Sequence, residues 1–465
     1  MRKLFDTVKN SIVSGNSFVF IFCFIILASF LTYVIPAGAY DRVVNEAGQE
    51  VILEGSFHRV PSSPVNPMRM FQCVAQAFIN SADVIFCIVF AYCFVGVMVR
   101  EAVFDVLISF LIGKLRQRVK LILPLIMILF GLMGSVAGLA EETFGMFPVC
   151  ISLALALGYD EIVGGAIVYL AVFTGFASAT FNPYTVGIAQ SIAGIPIYSG
   201  LGFRIVCWFV FMGILIAYVM HYANRVKANP SESIMYGTGK QKTITEICPD
   251  RDVTITIRQK LCMLLFGLTM ALVVSGAILW GWYLTEISAV FLAAAIIAGA
   301  VMGWGPSKIA ESFVELGAET MFSILVIGLS NGVCVILDTG EITDSIVYGM
   351  ASLIHGTSGY VSACLMLAVQ NLLNFFVPSG PGQAAVSMPI MASLADVTGL
   401  SRQLAVLAFQ FGDGYSNIFW PTMVCMMCGI MKIPVAKWYR FLFPLFGIML
   451  FAQVVLLMLA VKIGY

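Results

Sequence analysis

The chain has 465 residues, of which 60% are hydrophobic and only 11% charged, with 25 basic and 25 acidic side chains. A soluble domain carries about 25% charged residues, and the mean hydropathy here is +0.96, so a soluble fold is excluded and an all-α polytopic membrane protein is implied. The zero net charge offers no basic surface for nucleic acid, and no nucleic-acid partner is expected.

In chain order, the N-terminus MRKLFDTVKN places basic residues before an apolar run at 18–35. The run is long and no clean small-x-small cleavage pattern follows it, so it reads as a first membrane helix rather than a removable signal peptide. Residues 85–99, 203–219, 261–279 and 287–302 are further apolar stretches that approach the ~20 residues needed to cross a bilayer. Three amphipathic pieces, near 67–80, 103–116 and 306–317, are expected along the membrane interfaces. The twelve cysteines are scattered through apolar runs and read as small buried hydrophobes; the C-x-x-C at Cys425 and Cys428 has no second pair or histidine nearby. GTGK at 237–240 lacks the spacing of a phosphate-binding loop and reads as linker. No role falls to His58, His221 or His355.

Two blocks repeat. Pro148 precedes Gly158 by ten residues, as Pro389 precedes Gly399; Pro183 precedes Pro196 by thirteen, as Pro421 precedes Pro434. Ahead of each block an apolar stretch is broken by a polar tip, GLAEET at 138–143 and PSGPGQ at 378–383. Each pair of short helices around a tip reads as a re-entrant hairpin, 121–157 and 358–397, because irregular backbone at membrane depth must be buried or line a wet cavity. Each hairpin precedes an interrupted helix, 161–194 and 403–431.

Charge sets the topology. With the N-terminus cytoplasmic, the acidic loop 41–66 lies outside, and the basic segments 114–120, 224–260 and 432–440 lie inside, satisfying the positive-inside rule. The first hairpin then enters from inside and the second from outside. The expected architecture is about nine transmembrane helices plus two re-entrant hairpins in an inverted repeat. The first repeat is 1–223, the cytoplasmic linker 224–260, a linking helix 261–284 and the second repeat 285–465. If residues 121–137 instead crossed the bilayer fully, Glu141 and Glu142 would become surface residues and the basic loop 224–260 would move outside.

Inverted repeats with discontinuous helices are the architecture of secondary transporters, with solute sites near the midplane where half-helix ends point inward. FGDGYSNIFWP (411–421) and TGFASATFNP (174–183) are the two interruptions. Their glycines let the backbone leave helical geometry, and each proline restarts a half-helix at a position whose N–H needs no partner. Asp413, Asn417 and Asn182 are therefore candidate solute or ion ligands. The hairpin tips supply Glu141, Glu142 and Thr143 on one side and Ser379, Gly380 and Gln383 on the other. Asp338, Glu341 and Asp344 read as solvated at a membrane edge, Arg204 and Arg402 as external helix ends, and Asn371 and Asn374 as bonds to neighbouring helices. The expected core then holds three carboxylates and no cation. It favours a cationic solute, a coupling cation such as Na⁺ from the same residues, or a proton relay. No catalytic group and no cofactor is expected; an intramembrane aspartyl protease would need two facing aspartates, and only Asp413 lies in the core.

LTYVIPAGAYDR (31–42), FNPYTVGIAQSIAGIP (181–196), NFFVPSGPGQAAVSMPIMASLADVTGLSRQ (374–403) and LAFQFGDGYSNIFWPT (407–422) resemble the YfcC-type carriers. These are grouped with the anaerobic C4-dicarboxylate carriers and the arginine/ornithine antiporters in the ion transporter superfamily. The resemblance implies a bacterial inner-membrane antiporter or carrier, a homodimer, with a moving transport unit of hairpins and interrupted helices. The acidic core turns the expectation toward basic amino acids exchanged by alternating access. The alternative is a C4-dicarboxylate, or another amino acid or peptide, coupled to Na⁺ or H⁺.

Overall fold

Long apolar stretches become helices because a backbone in lipid must satisfy its own hydrogen bonds. In the computed structural model, which describes residues 17–44, 50–104, 106, 121–237, 255–354 and 357–465, helices dominate. The amphipathic piece near 103–116 and most of the linker, GTGK included but for Gly237, lie outside the described residues, as does His355.

Helix α1 (Ser17–Val34) leads into two short antiparallel ribbons. One pairs β1 (Gly38–Ala39) with β4 (His58–Arg59), the other β2 (Arg42–Val44) with β3 (Glu50–Ile52). Helix α2 (Pro67–Asn80) starts with Asn66 capping the amide of Arg69 and is separated by Ser81 from α3 (Ala82–Arg100). Next come α4 (Ile122–Leu132), continued by a π-helical turn Met133–Ala137, a 3₁₀ segment Glu141–Met146 and α5 (Phe147–Ala156). Residues 161–194 form α6 (Glu161–Ala177), an irregular stretch, a π turn Pro183–Gly187 and α7 (Ile188–Ile192). Helix α8 (Leu201–Ala228) ends the first half.

The second half follows α9 (Ile257–Trp280), which Gly281 closes in the left-handed region at φ 64°. It comprises α10 (Leu284–Val301), α11 (Pro306–Thr339), α12 (Thr343–Ser352), α13 (Gly359–Phe376), α14 (Gly380–Val397), α15 (Arg402–Ser416), α16 (Pro421–Met431) and α17 (Val435–Ile463). The amphipathic piece at 306–317 and the apolar stretch after it are one helix, α11, bent by 45° between Phe322 and Ile324.

Among the described residues six helices are long and apolar enough to cross a membrane singly: α3, α8, the 257–276 part of α9, α10, α13 and α17; α11 makes seven if its two limbs count as one. The 21–34 part of α1, α4 with its π turn (122–137), α6 and α16 are apolar but shorter. The expected nine count α1 and not α13, and so need α1 and each interrupted pair, α6/α7 and α15/α16, to act as single spans. Helix α13, expected as a hairpin arm, is by itself long enough to cross.

Packing is matched between the halves. Helix α3 lies along α10, and α1 along α11; α4 and α5 both pack on α6, as α13 and α14 both pack on α15; α8 and α17 flank α6 and α15 respectively. The two interrupted helices also touch each other. A Cβ on Gly414 would stand 2.4 Å from Ala177 Cα, and one on Gly175 would stand 2.0 Å from the Gly131 carbonyl oxygen, so these backbones meet only because both residues lack a side chain.

Candidate functional site

The two interruptions are built alike. Each ends its first helix with a serine, Ser178 or Ser416, whose hydroxyl donates to the carbonyl four residues back, Thr174 at 2.7 Å and Gly412 at 2.6 Å. Such back-bonding loosens the last helical turn. Each restarts at a proline in the first turn, Pro183 or Pro421. Each is also stitched to the first arm of its own hairpin. In the first, Ser135 Oγ meets Thr180 Oγ1 at 3.1 Å and the Ser135 carbonyl accepts the amides of Thr180 and Phe181 at 2.9 and 3.2 Å. In the second, Asn374 Nδ2 donates to the Asp413 carbonyl (3.1 Å), Ser416 Oγ (2.7 Å) and Asn417 Oδ1 (3.1 Å).

Asn182 is fully buried and used up locally. Its Oδ1 caps the amides of Tyr184 and Thr185 at 2.9 and 3.2 Å, and its Nδ2 reaches the Gly134 carbonyl at 3.3 Å. Asn417 is likewise turned inward, donating from Nδ2 to the Asp413 carbonyl at 2.9 Å. Asp413 differs. It is fully buried, and neither carboxylate oxygen has a hydrogen-bond partner among the described residues. An ionised carboxylate left so is costly by several kcal/mol.

What faces Asp413 is the tip of the second hairpin. A Cβ on Gly380 would lie 3.4 Å from Asp413 Oδ2 and 2.7 Å from the Thr185 methyl, so glycine alone fits there. Gly380 opens α14, and Ser379 caps that helix by accepting the Gly382 amide at 3.3 Å. The positive end of α14 therefore lies beside the carboxylate. Thr185 Oγ1 and Asn374 Oδ1 are also buried oxygens without partners. Each is a hard oxygen donor of the kind that takes a proton, a sodium ion or an ammonium group; Thr185 meets Asp413 across Gly380, and Asn374 bonds the Asp413 carbonyl. Among the described residues no group of three or more His, Cys, Asp or Glu side chains suits a tightly held metal ion. Gln383 sits one turn into α14, fully buried, donating to Gln370 Oε1 at 2.6 Å and the Gln370 carbonyl at 2.9 Å; it braces the hairpin arms.

The structure places Glu141, Glu142 and Thr143 elsewhere. They form the 3₁₀ tip of the first hairpin, where Glu142 Oε2 accepts the Ala140 amide at 2.9 Å and Thr143 Oγ1 donates to the Ala140 carbonyl at 2.6 Å. Glu142 and Thr143 line an apolar crevice of about 760 Å³ between this hairpin and α9, together with Met133, Phe266 and Met270. Among the described residues they share no hydrogen bond or ion pair with Asp413. The Asp413 cluster, with Asn417, Ser379, Gly380, Gln383 and Asn182, and the acidic tip are thus joined by no direct side-chain bond among the described residues, although a Cβ on Gly138 of that tip would lie 2.5 Å from Asn182 Oδ1.

Three residues depart from their sequence reading. Asn374, read as a bond between helices, holds the second interruption together. Asp344, expected to be solvated, is 6% exposed and ion-paired to Arg42 at 3.1 Å, because the β2 ribbon folds back over α12. Arg204, expected at an external helix end, is 1% exposed in the first turn of α8, beside Tyr465.

The comparisons with known proteins bear on what this arrangement serves. The chain is 31% identical over 502 residues to the "Putative basic amino acid antiporter YfcC" of Escherichia coli (strain K12), covering 97% of both chains. It is 29% identical to a protein of Haemophilus influenzae over 96% of this chain and 97% of that one. Among solved structures, MtrF of Neisseria gonorrhoeae is similar over 99% of this chain and 98% of its own at 16% identity and a TM-score of 0.48. The family described as C4-dicarboxylate anaerobic carrier, DcuC, matches residues 15–462. With a whole-length family match and a relative above 30% identity, the chain is a YfcC-type membrane carrier, not an enzyme, and belongs to the DcuC family.

Proposed function

We propose that this carrier exchanges basic amino acids, such as arginine for ornithine, by alternating access, with Asp413 as the charge that recognises them. The observation carrying this is the fully buried Asp413 carboxylate with no hydrogen-bond partner among the described residues. A solute ammonium or guanidinium group would recover part of the cost of burying it, since a unit-charge contact at short range is worth on the order of a few kcal/mol before desolvation. The acidic tip at Glu141 and Glu142 adds to the bias toward cations on the path. The matched packing of the two halves supports an inverted repeat working in a bacterial inner membrane with a cytoplasmic N-terminus. A homodimer is the assembly we propose, and light scattering of the detergent-solubilised carrier reads the copy number.

A second reading has its own observation. The start of α14 and the turn that Asn182 caps meet at Gly380 and Thr185, and half-helix N-termini suit a solute carboxylate. In that reading a C4-dicarboxylate enters after Na⁺ or H⁺ has neutralised Asp413. Uptake into proteoliposomes separates the two. With ornithine inside, labelled arginine uptake should be fast and blocked by lysine, and succinate or fumarate should compete poorly. Strong competition by C4-dicarboxylates with none by basic amino acids would assign Asp413 to a coupling cation and overturn the first reading.

A further inference from the structure

A second cavity, of about 460 Å³, lies on the loop side of the second hairpin tip, between that tip and α11. Its wall includes Ser379 and Gly382 from the tip, Asn331, Cys334 and Asp338 from α11, and Arg42 from the β2 ribbon. None of the last four belongs to the Asp413 cluster. Two opposite charges face this space and do not pair with each other. Arg42 is held instead by Asp344, its Nη2 lying 3.2 and 3.1 Å from the two carboxylate oxygens, while Asp344 also accepts the Tyr40 amide at 3.0 Å. Asp338 is fixed by the Thr343 hydroxyl, 2.6 Å from its Oδ1. The Arg42 guanidinium, the Asp338 carboxylate and the start of α14 thus present fixed charges of both signs around one space, with Asp344 behind Arg42 outside its wall. A free α-amino acid carries both signs too, and a basic one carries one net positive charge.

We infer that this cavity is an entry site for α-amino acids, in which Arg42 and the Ser379–Gly382 tip receive the α-carboxylate and Asp338 receives a cationic group, before the solute passes to Asp413. It rests on the amino-acid reading above and extends it to a site and residues outside the Asp413 cluster. The site discriminates by charge pattern. A dicarboxylate would satisfy Arg42 but would bring its second carboxylate against Asp338.

Cys334, half-buried in the wall, reports on occupancy without modification of the chain. Membranes holding the full-length carrier are treated on ice with a small thiol reagent, and labelling of Cys334 is followed by peptide mass spectrometry against Cys364, a half-buried cysteine outside the cavity. Ornithine and arginine should slow labelling of Cys334 and not of Cys364, and succinate should not. Asp338→Asn keeps an acceptor for Thr343, so the local fold survives; it should raise the KM for ornithine about fivefold, the scale of a partly screened charge pair, with kcat unchanged. Arg42→Lys, which keeps the charge beside Asp344, should also raise KM. If ornithine is exchanged yet neither protects Cys334 nor shows a changed KM in Asp338→Asn, the entry site is refuted while the amino-acid reading stands. If ornithine is not exchanged and succinate is both carried and protective, the amino-acid reading itself has failed.

Discussion

Two interruptions of nearly identical construction carry different chemistry. Counted eight residues back from Pro183 and Pro421, the first has Gly175 and the second Asp413. Serine back-bonds, restarting prolines and stitches to a hairpin arm occur in both. In the first, the position packs backbone on backbone against Gly131, and the polar groups around it are largely consumed in capping. In the second, the same position holds a carboxylate with no hydrogen-bond partner among the described residues. Two interruptions of like build supply two places where a helix ends and restarts, and only one of them carries a charge.

The largest expected effect tests that asymmetry directly. Asp413→Asn keeps shape and removes charge. It should lower exchange by at least about 30-fold, as expected when one partner of a buried charge pair is lost, while the protein still reaches the membrane. Its melting temperature in detergent should hold or rise, because an unpaired buried charge is gone. Near-normal exchange by folded Asp413→Asn would make the carboxylate a structural feature and erase the functional difference between the halves.

Next come the close approaches, where the halves should behave alike. Gly412→Ala and Gly175→Ala each push a methyl into backbone of the first arm of the adjoining hairpin, at Asn371 and Gly131. Overpacking of this kind costs about 1–3 kcal/mol. Both variants should melt lower by similar amounts in thermal unfolding of the solubilised protein. A loss confined to one of them would mean that the matched packing is not a shared constraint.

The smallest effect on activity comes from reporter cysteines. Glu54→Cys, on the exposed loop after β3, should react with an impermeant reagent in intact cells. Asn229→Cys, exposed just past α8, should react only after permeabilisation. Reaction of both from one side would rule out opposed orientations for the two halves.

Much of the scaffold is legible in the sequence because backbone geometry restricts residue choice. Gly158 and Gly399, at matched offsets, adopt positive φ of 83° and 73°, a region that residues with a Cβ rarely enter. The interruptions are marked by glycine, serine and proline for similar reasons. The loop after α1 shows how a local signal is missed: DRVVNEAGQEVI has apolar pairs around a turn-forming centre, the pattern of a short ribbon. Long-range pairings leave no such mark. Arg42 and Asp344 are 302 residues apart, and each alone looks like an exposed charge. Glu141 and Glu142 show a complementary case. Polarity identifies the tip, but not that Glu142 lines a crevice shared with α9.

The unpaired carboxylate also has an electrical side. Under the exchange reading, Asp413 with a monovalent cationic solute is neutral as a pair, so that pair adds little charge movement to the loaded steps. Without solute or proton Asp413 is an anion. A negative charge crossing the full field changes energy by about 2.3 kcal/mol per 100 mV. With the cell interior negative, voltage biases the empty site toward the outer face and opposes its inward return. Under the exchange reading, the membrane potential then opposes inward return of the empty carrier, and so opposes net loss of solute, while it favours the outward return that net uptake needs.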